Sequence, residues 1–221
     1  MDNRYKYIFD MDGTLYKFSE NSSINFEQSD FNAKLKLRII EYLSRELGVN
    51  NDTAIIELNK ISEEYNGQIS IGFEKKYGID RYEYFNYVWD LNPEDFINKD
   101  DLLSSKLKSF SGQSVLLSSA PRIWIDKVLS YLNISEVFED NIYSGEPDLR
   151  KPDRRIFDKV ISDLNIDPTR LFSIGDQNET DILPAKLAGA KTLIIGPNKL
   201  DADFQASNIY EAINILKKEI I

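Results

Sequence analysis

The sequence contains no cysteine and no histidine. Without cysteine, disulfide bonds, thiolate catalysis and cysteine-ligated zinc sites are excluded. Without histidine, the chain cannot supply a histidine-based catalytic triad or an imidazole metal site. A metal would have to be bound through oxygen atoms, and sites built only from oxygen suit Mg²⁺ or Ca²⁺.

Positive charge and long apolar runs are also scarce. The 221 residues include 27 Lys and Arg against 37 Asp and Glu, which gives a net charge of −10. This excess of negative charge repels nucleic-acid polymers and anionic membranes, so neither is expected as a partner. No run reaches the roughly 18 apolar residues of a membrane span, and no signal-peptide core is recognisable at the N-terminus. We expect a soluble protein without an export signal, located in the cytoplasm.

The most informative stretch lies near the N-terminus and reads YIFDMDGTLY. Its apolar and β-branched beginning, Tyr7–Phe9, predicts a buried strand. Asp10 and Asp12 follow this strand, and Gly13 allows the chain to turn away directly after them. Two carboxylates at the carboxyl end of one strand repel each other, and they are seldom kept there without a cation or a shared proton. The alternative for such a pair by itself is an Asp-rich turn without chemistry.

From about Asp100 onward, segments with helical periodicity alternate with short apolar segments typical of strands. Helices are predicted at Asp100–Phe110, Pro121–Leu132, Asp153–Leu164, Thr180–Gly189 and Glu211–Ile221, and strands at Ser114–Ser118, Asn141–Ser144, Arg170–Gly175 and Lys191–Gly196. Such alternation implies right-handed crossovers and a parallel sheet with helices on both faces. The expected fold class is α/β, with a doubly wound, Rossmann-like core.

Between residues 18 and 98 we find no convincing strand pattern. The expected segments are a polar linker, two amphipathic helices and two aromatic-rich stretches, at Ser19–Ser29, Phe31–Leu47, Asp52–Tyr65, Ile71–Tyr77 and Arg81–Trp89. Asp30 is the expected cap of the first helix, and Gly48 is its expected stop. We therefore predict two domains: an α/β core over residues 1–17 and 99–221, and a small all-helical domain over residues 18–98.

Three further segments place polar residues at predicted strand ends or helix entrances. Ser118 follows an apolar strand, where its hydroxyl and nearby backbone N–H groups could meet a phosphate. Lys151 precedes a proline and a predicted helix. Asp176 follows a strand that ends in glycine, and Asp181 comes five residues later. Considered singly, Ser118 is more typical of a helix cap, and Lys151 is more typical of a solvated charge before a helix.

Taken together, the four segments resemble the four motifs of the haloacid dehalogenase (HAD) superfamily, in the same order. The first resembles the Asp-x-Asp-Gly-Thr-Leu pattern of its phosphatases and phosphomutases, and the chain as a whole resembles a subfamily I phosphatase with a helical cap. The resemblance implies that Asp10 attacks phosphorus and becomes an aspartyl phosphate. It also implies that Asp12 protonates the leaving oxygen and later activates water. A carboxylate is a competent nucleophile when a metal screens the phosphate, and a second carboxyl can act as acid and then as base.

The resemblance implies roles for the other motif residues as well. Ser118, Ser119 and Lys151 would bind phosphate, although members of the family often have Asn at the position of Ser119. Some members use adjacent aspartates in the fourth motif, but Gln177 excludes that here and leaves Asp181 as the second acid. The cofactor implied is Mg²⁺, held by Asp10, Asp12, Asp176 and Asp181.

The inserted helical segment bears on the substrate, which we expect to be a small phosphorylated metabolite. Tyr65, Gly67, Gly72 and Phe73 are similar to the cap pattern of pyrimidine 5′-nucleotidases in the same superfamily. The aromatic residues of this segment would then stack on a base, or they would form the core of the cap itself. The expected function is a phosphatase acting on a nucleoside 5′-monophosphate. The alternatives are a phosphatase acting on a sugar phosphate or phosphoglycolate, a phosphomutase, and a binding protein with this fold but without catalytic activity. Monomer and homodimer both remain open.

Overall fold

The protein is described by a computed structural model that covers residues 4–18 and 26–219. It divides into two compact units, one within Met1–Lys17 and Ile97–Ile221 and the other within Phe18–Phe96. Most of the predicted linker, residues 19–25, lies outside the described residues, as do the last two residues of the predicted C-terminal helix. The assignment of the second unit as a cap stays a prediction.

The first unit is built around a six-stranded sheet in which all pairs are parallel. The strands are β1 Lys6–Phe9, β2 Ser114–Leu117, β3 Ile142–Tyr143, β4 Leu171–Gly175, β5 Lys191–Ile195 and β6 Phe204–Ala206. Their order across the sheet is β3-β2-β1-β4-β5-β6. Strand β6 was not predicted from the sequence, because a three-residue strand is too short to show a period.

The described residues form ten α-helices. They are α1 Asp30–Leu47, α2 Asn51–Glu64, α3 Ile69–Tyr77, α4 Arg81–Val88, α5 Asp101–Leu107, α6 Arg122–Tyr131, α7 Ser135–Phe138, α8 Arg155–Leu164, α9 Leu183–Leu187 and α10 Ile209–Glu219. The single turn of α7 was not predicted, since four residues do not complete an amphipathic pattern. None of the described helices combines the length and the apolar composition needed to cross a membrane.

Successive side chains of β1 point to opposite faces of the sheet. Tyr7 and Phe9 lie on one face and pack edge-on against Phe110, which follows α5. Ile8 lies on the other face in a cluster with Phe157 of α8. All of these side chains are buried, and each stabilises the fold by about 1.5–3 kcal/mol. Helices therefore cover both faces of the sheet, which confirms the predicted α/β class.

The second unit is helical and has its own core. Its buried apolar side chains are Phe31, Leu35, Tyr42, Leu43, Ala54, Ile61, Ile71, Phe73, Ile79, Tyr84, Phe85, Val88 and Leu91. The predicted cap of α1 is wrong by one residue. The Ser29 hydroxyl accepts the Asn32 N–H at 3.1 Å, so Ser29 is the cap and Asp30 is the first helical residue. Gly48 ends α1 in the left-handed conformation, as predicted.

The chain after β4 differs from the single helix predicted at Thr180–Gly189. A wide helical turn over Asn178–Ile182 precedes the short helix α9. Pro184 lies in the first turn of α9 and has no N–H, so it cannot donate to the carbonyl of Thr180. This missing bond accounts for the break between the two segments, and it leaves Asp181 within the wide turn rather than on a regular helix.

Candidate functional site

Three neighbouring strands end at the same edge of the sheet and carry polar residues there. Asp10 directly follows β1, Ser118 directly follows β2, and Asp176 directly follows β4. Strand β1 pairs with β2 on one side and with β4 on the other. Strands β2 and β3 therefore lie on one side of β1, and β4 to β6 lie on the other. Open parallel sheets bind their ligands at such a switch in strand order.

An acidic cluster lies at this edge. Asp10, Asp176 and Asp181 each offer a carboxylate oxygen, and the three oxygens lie within 4.8 Å of one another. Two glycines make room for this approach. A Cβ atom on Gly13 would lie 2.3 Å from Asp176 Oδ2, and one on Gly175 would lie 2.3 Å from the Asp181 carboxyl group. Any side chain at either position would displace a member of the cluster.

Lys151 supplies positive charge to the cluster. Its Nζ donates to Asp10 Oδ1 at 2.6 Å and to Asp181 Oδ1 at 2.7 Å, and its side chain is almost fully buried. Burial alone would lower the pKa of Lys151, but the carboxylates of Asp10 and Asp181 raise it. The ammonium therefore stays charged. The predicted alternative, a solvated surface lysine, is excluded by this burial.

One ammonium does not balance three carboxylates. Burial raises the pKa of Asp10 well above its ordinary range, although the Lys151 charge opposes this. Burial, reinforced by the negative charge of Asp181, raises the pKa of Asp176 to about 6. Asp176 Oδ1 is also buried without a hydrogen-bond partner among the described residues. Unbalanced charge and an unsatisfied carboxylate oxygen fit a hard cation such as Mg²⁺.

Asp12 has different surroundings. Its Oδ1 accepts hydrogen bonds from the Tyr16 hydroxyl and, at 3.2 Å, from Trp124 Nε1, while Ser118 Oγ lies 3.4 Å from Oδ2. Burial raises the pKa of Asp12, and the bonds from Tyr16 and Trp124 oppose that rise. The carboxylate of Asp12 thus has three protein donors and stands apart from the cluster formed by Asp10, Asp176 and Asp181, so its predicted part in metal binding stays a prediction.

Sequence reasoning gave no role to Tyr16 or Trp124. Tyr16 lies only four residues from Asp12 and could have been suspected from its place in the first motif. Trp124 lies 112 residues from Asp12, and no local pattern links the two. The sequence offered one indication of this contact, which is that Trp124 lies in the helix predicted directly after Ser118.

The turn after Ser118 is less open to a ligand than the sequence indicated. The Ala120 N–H donates to Ser118 Oγ at 3.0 Å, and the Arg122 N–H donates to Glu146 Oε1 at 3.0 Å. These two backbone groups are therefore already satisfied by the chain itself, contrary to the expectation of free N–H groups. Ser119 is exposed beside them, and its phosphate-binding role stays a prediction.

Comparison with known proteins gives two curated relatives over short segments. The chain is 43% identical over 53 residues to the D-glycero-beta-D-manno-heptose-1,7-bisphosphate 7-phosphatase of Haemophilus ducreyi, covering 24% of this chain and 29% of that protein. It is 48% identical over 44 residues to the glycerol-3-phosphate phosphatase of Gallus gallus, covering 20% of this chain and 14% of that protein. The chain thus matches less than a third of the length of either relative.

Solved structures match over nearly the whole chain. A HAD phosphatase from Thermococcus onnurineus has a TM-score of 0.61 and 20% identity, covering 98% of this chain and 100% of that one. The 2-haloacid dehalogenase from Pseudomonas syringae has a TM-score of 0.61 and 17% identity, covering 98% and 99%. At these identities the likeness shows a shared fold.

The family assignment comes from the sequence itself. The family model for haloacid dehalogenase-like hydrolases matches residues 7–189, which is most of the chain. The matched segment contains both aspartates of the first motif, Ser118, Lys151 and both acids of the fourth. The chain therefore belongs to the haloacid dehalogenase-like hydrolase family.

Proposed function

We propose that this chain is a Mg²⁺-dependent phosphatase that hydrolyses a small phosphate monoester through an aspartyl-phosphate intermediate. The observation that carries the proposal is the arrangement around Asp10. This buried carboxylate touches the ammonium of Lys151, lies beside Asp176 and Asp181, and has a second carboxyl group, Asp12, two residues further on.

Two chemical steps follow from this arrangement. In the first, a carboxylate oxygen of Asp10 forms a bond to phosphorus while the bond to the leaving oxygen breaks, and Asp12 gives that oxygen its proton. In the second, water attacks phosphorus, Asp12 takes up a proton from the water, and the Asp10 carboxylate is released. Lys151 stabilises the negative charge that collects around phosphorus in both steps.

The metal would be held by Asp10, Asp176 and Asp181. A bound Mg²⁺ would screen the phosphate from the carboxylates and so permit the approach of two anionic groups. Ser118, at the end of β2, and Ser119 beside it supply hydroxyl groups for the phosphate oxygens.

The burial of aromatic side chains in the second unit bears on which class of substrate the protein binds. Phe73, Tyr84 and Phe85 are buried, and Tyr84 packs edge-on against Phe73 and Tyr42, so these rings form the core of their own unit. For these three rings this supports the second of the two expectations, whereas Tyr82 is exposed. Because the three buried rings are not available to stack on a base, we favour sugar or polyol phosphates over nucleotides as substrates. The curated relatives are named for substrates of that kind, a heptose bisphosphate and glycerol 3-phosphate.

The proposal is tested by measuring phosphate release from a panel of esters. The panel contains glycerol 3-phosphate, hexose and heptose phosphates, phosphoglycolate, pyrimidine and purine monophosphates, and p-nitrophenyl phosphate. We expect turnover with Mg²⁺, none with chelator, and a preference for sugar or polyol phosphates. A preference for UMP or CMP would instead support base recognition. Absence of turnover on every ester with Mg²⁺ would contradict the proposal.

A metal bound by the cluster should also stabilise the fold. We expect Mg²⁺ to raise the thermal midpoint of the wild-type protein, since a ligand at about 100 times its Kd adds about 2.7 kcal/mol. Asp176→Asn should raise the midpoint in chelator, because it removes one of three crowded charges, and should lose most of the Mg²⁺ response. Differential scanning calorimetry with and without Mg²⁺ measures both effects.

The matched control for this experiment is Asp158→Asn. Asp158 lies on the exposed side of α8 and pairs with Arg154. This variant should keep the full Mg²⁺ response of the wild type. An undiminished response in Asp176→Asn would show that the metal binds elsewhere.

A further inference from the structure

Two aromatic residues outside the acidic cluster contact Asp12 directly. The Tyr16 hydroxyl and the Trp124 indole N–H both point to the same atom, Asp12 Oδ1. The indole nitrogen also lies 3.2 Å from the Tyr16 oxygen, so the three groups form one closed network. Both rings are buried, Trp124 completely. Hydrogen bonds to a charged acceptor in such surroundings are among the stronger ones in proteins.

The two donors come from independent parts of the fold. Tyr16 lies in the turn that follows β1, and its backbone forms a bridge with Asp12 itself. Trp124 lies in the first turn of α6, which is anchored by Ile125 and Val128 in the core. Rotation of the Asp12 carboxylate would break bonds to both elements at once. The network therefore fixes the plane of this carboxylate as well as its position.

The two oxygens of Asp12 are left unequal by this network. Oδ1 accepts two hydrogen bonds from aromatic donors, whereas Oδ2 faces the hydroxyl of Ser118 at 3.4 Å, which is a long distance for a hydrogen bond. Ser118 follows β2 next to the end of β1, at the same edge of the sheet as Asp10 and Asp176. Oδ2 is thus the oxygen of Asp12 that keeps a lone pair for a proton.

We propose that Tyr16 and Trp124 are positioning residues that hold Asp12 by Oδ1 and so assign proton transfer to Oδ2. This inference rests on the proposed function. In the first step the proton leaves Asp12 Oδ2 for the ester oxygen as the phosphorus–oxygen bond breaks. In the second step a proton from the attacking water returns to Oδ2. Tyr16 and Trp124 keep their own protons throughout.

The test compares leaving groups that differ in their need for a proton. An alkyl oxygen must be protonated as it leaves, whereas p-nitrophenolate leaves as a stable anion. The value of kcat/KM reports only the steps up to this bond cleavage, so later hydrolysis of the aspartyl phosphate does not obscure it. For Tyr16→Phe and Trp124→Phe we expect kcat/KM to fall about 10- to 100-fold on the best alkyl phosphate of the panel, and by roughly threefold or less on p-nitrophenyl phosphate.

Tyr131→Phe is the matched control. Tyr131 lies in α6, the same helix as Trp124, and its hydroxyl donates to the Ile97 carbonyl at 3.1 Å. Its loss should change both esters equally and only slightly. Should Trp124→Phe fail to fold, Tyr16→Phe carries the test, since it removes one oxygen and keeps the ring.

The outcomes separate the two proposals. A selective loss on the alkyl ester supports the positioning role. An equal loss on both esters, or no loss on either, overturns it, because a general disturbance of the fold does not distinguish leaving groups. A wild-type protein without activity on either ester overturns the proposed function itself and this inference with it.

Discussion

Replacing Asp10 with asparagine is expected to abolish turnover while leaving the fold intact. An amide nitrogen or oxygen cannot form the phosphoryl bond that the carboxylate forms, so no aspartyl phosphate can accumulate. We expect kcat/KM to fall by about 10⁴-fold or more, the scale on which loss of a nucleophile acts. The measurement is steady-state turnover of the best ester, combined with trapping of the labelled phosphoenzyme by acid quench.

The fold should survive this change for a local reason. Asparagine has nearly the size of aspartate, and its side-chain oxygen can still accept the hydrogen bond from Lys151. The substitution also removes one of the crowded negative charges. The thermal midpoint in chelator should therefore stay the same or rise. A large drop in the midpoint would mean that lost activity reflects unfolding.

Two other variants serve as comparisons for Asp10→Asn. Asp126→Asn alters an exposed carboxylate that pairs with Arg122, and it should keep wild-type turnover. Asp12→Asn should still form some phosphoenzyme, because its nucleophile is intact, but should release phosphate slowly. Near wild-type turnover in Asp10→Asn would falsify the proposed mechanism.

Replacing Lys151 with methionine is expected to damage both stability and activity. The side chain is buried, and removing its charge leaves the carboxylates of Asp10 and Asp181 without this cation. Breaking a buried ion pair in this way costs about 3–5 kcal/mol. Because the ammonium also stabilises charge on the transferring group, turnover should fall by about 10²-fold or more.

Mg²⁺ separates these two effects. A bound metal would replace part of the missing positive charge and restore part of the thermal midpoint through binding to the folded state. It would not restore turnover, since the ammonium that neutralises the phosphoryl oxygens is still absent. The measurement is urea unfolding and ester turnover of Lys151→Met, each with Mg²⁺ and with chelator.

Lys159→Met is the matched control for this variant. Lys159 pairs with Asp163 on an exposed stretch of α8, where ion pairs contribute little. It should leave turnover unchanged and stability nearly so. If Lys151→Met were equally harmless, Lys151 would have neither of the roles given to it here.

Much of the fold follows from local patterns in the sequence. Strands β1 to β5 all lie where short segments predicted them. In β1, β2, β4 and β5 most residues are buried, and a strand buried on both faces needs apolar side chains at consecutive positions, whereas both residues of β3 are only half-buried. The predicted helix boundaries were wrong where a single hydrogen bond determines where a helix begins or breaks. The Ser29 hydroxyl rather than the Asp30 carboxylate caps α1, and Pro184 divides the helix predicted after β4.

The chemistry that this site can offer follows from the residue types along the chain. The chain has no cysteine or histidine, so the functional groups of the motif residues are carboxylates, hydroxyls and an ammonium group. The order of these residues along the chain matches one family. Parallel neighbouring strands then bring Asp10, Ser118 and Asp176 to one edge of the sheet. These properties depend on residue type and on local periodicity, both of which can be read from the chain.

The contacts between the functional groups depend on the tertiary structure. It gives Lys151 two carboxylate partners, satisfies the Ala120 and Arg122 N–H groups from within the chain, and brings Trp124 to Asp12 across 112 residues. Such contacts depend on how helices pack against the sheet, to within a fraction of an ångström. Packing of this kind is a property of all the side chains together, and for that reason no segment of the sequence contains it.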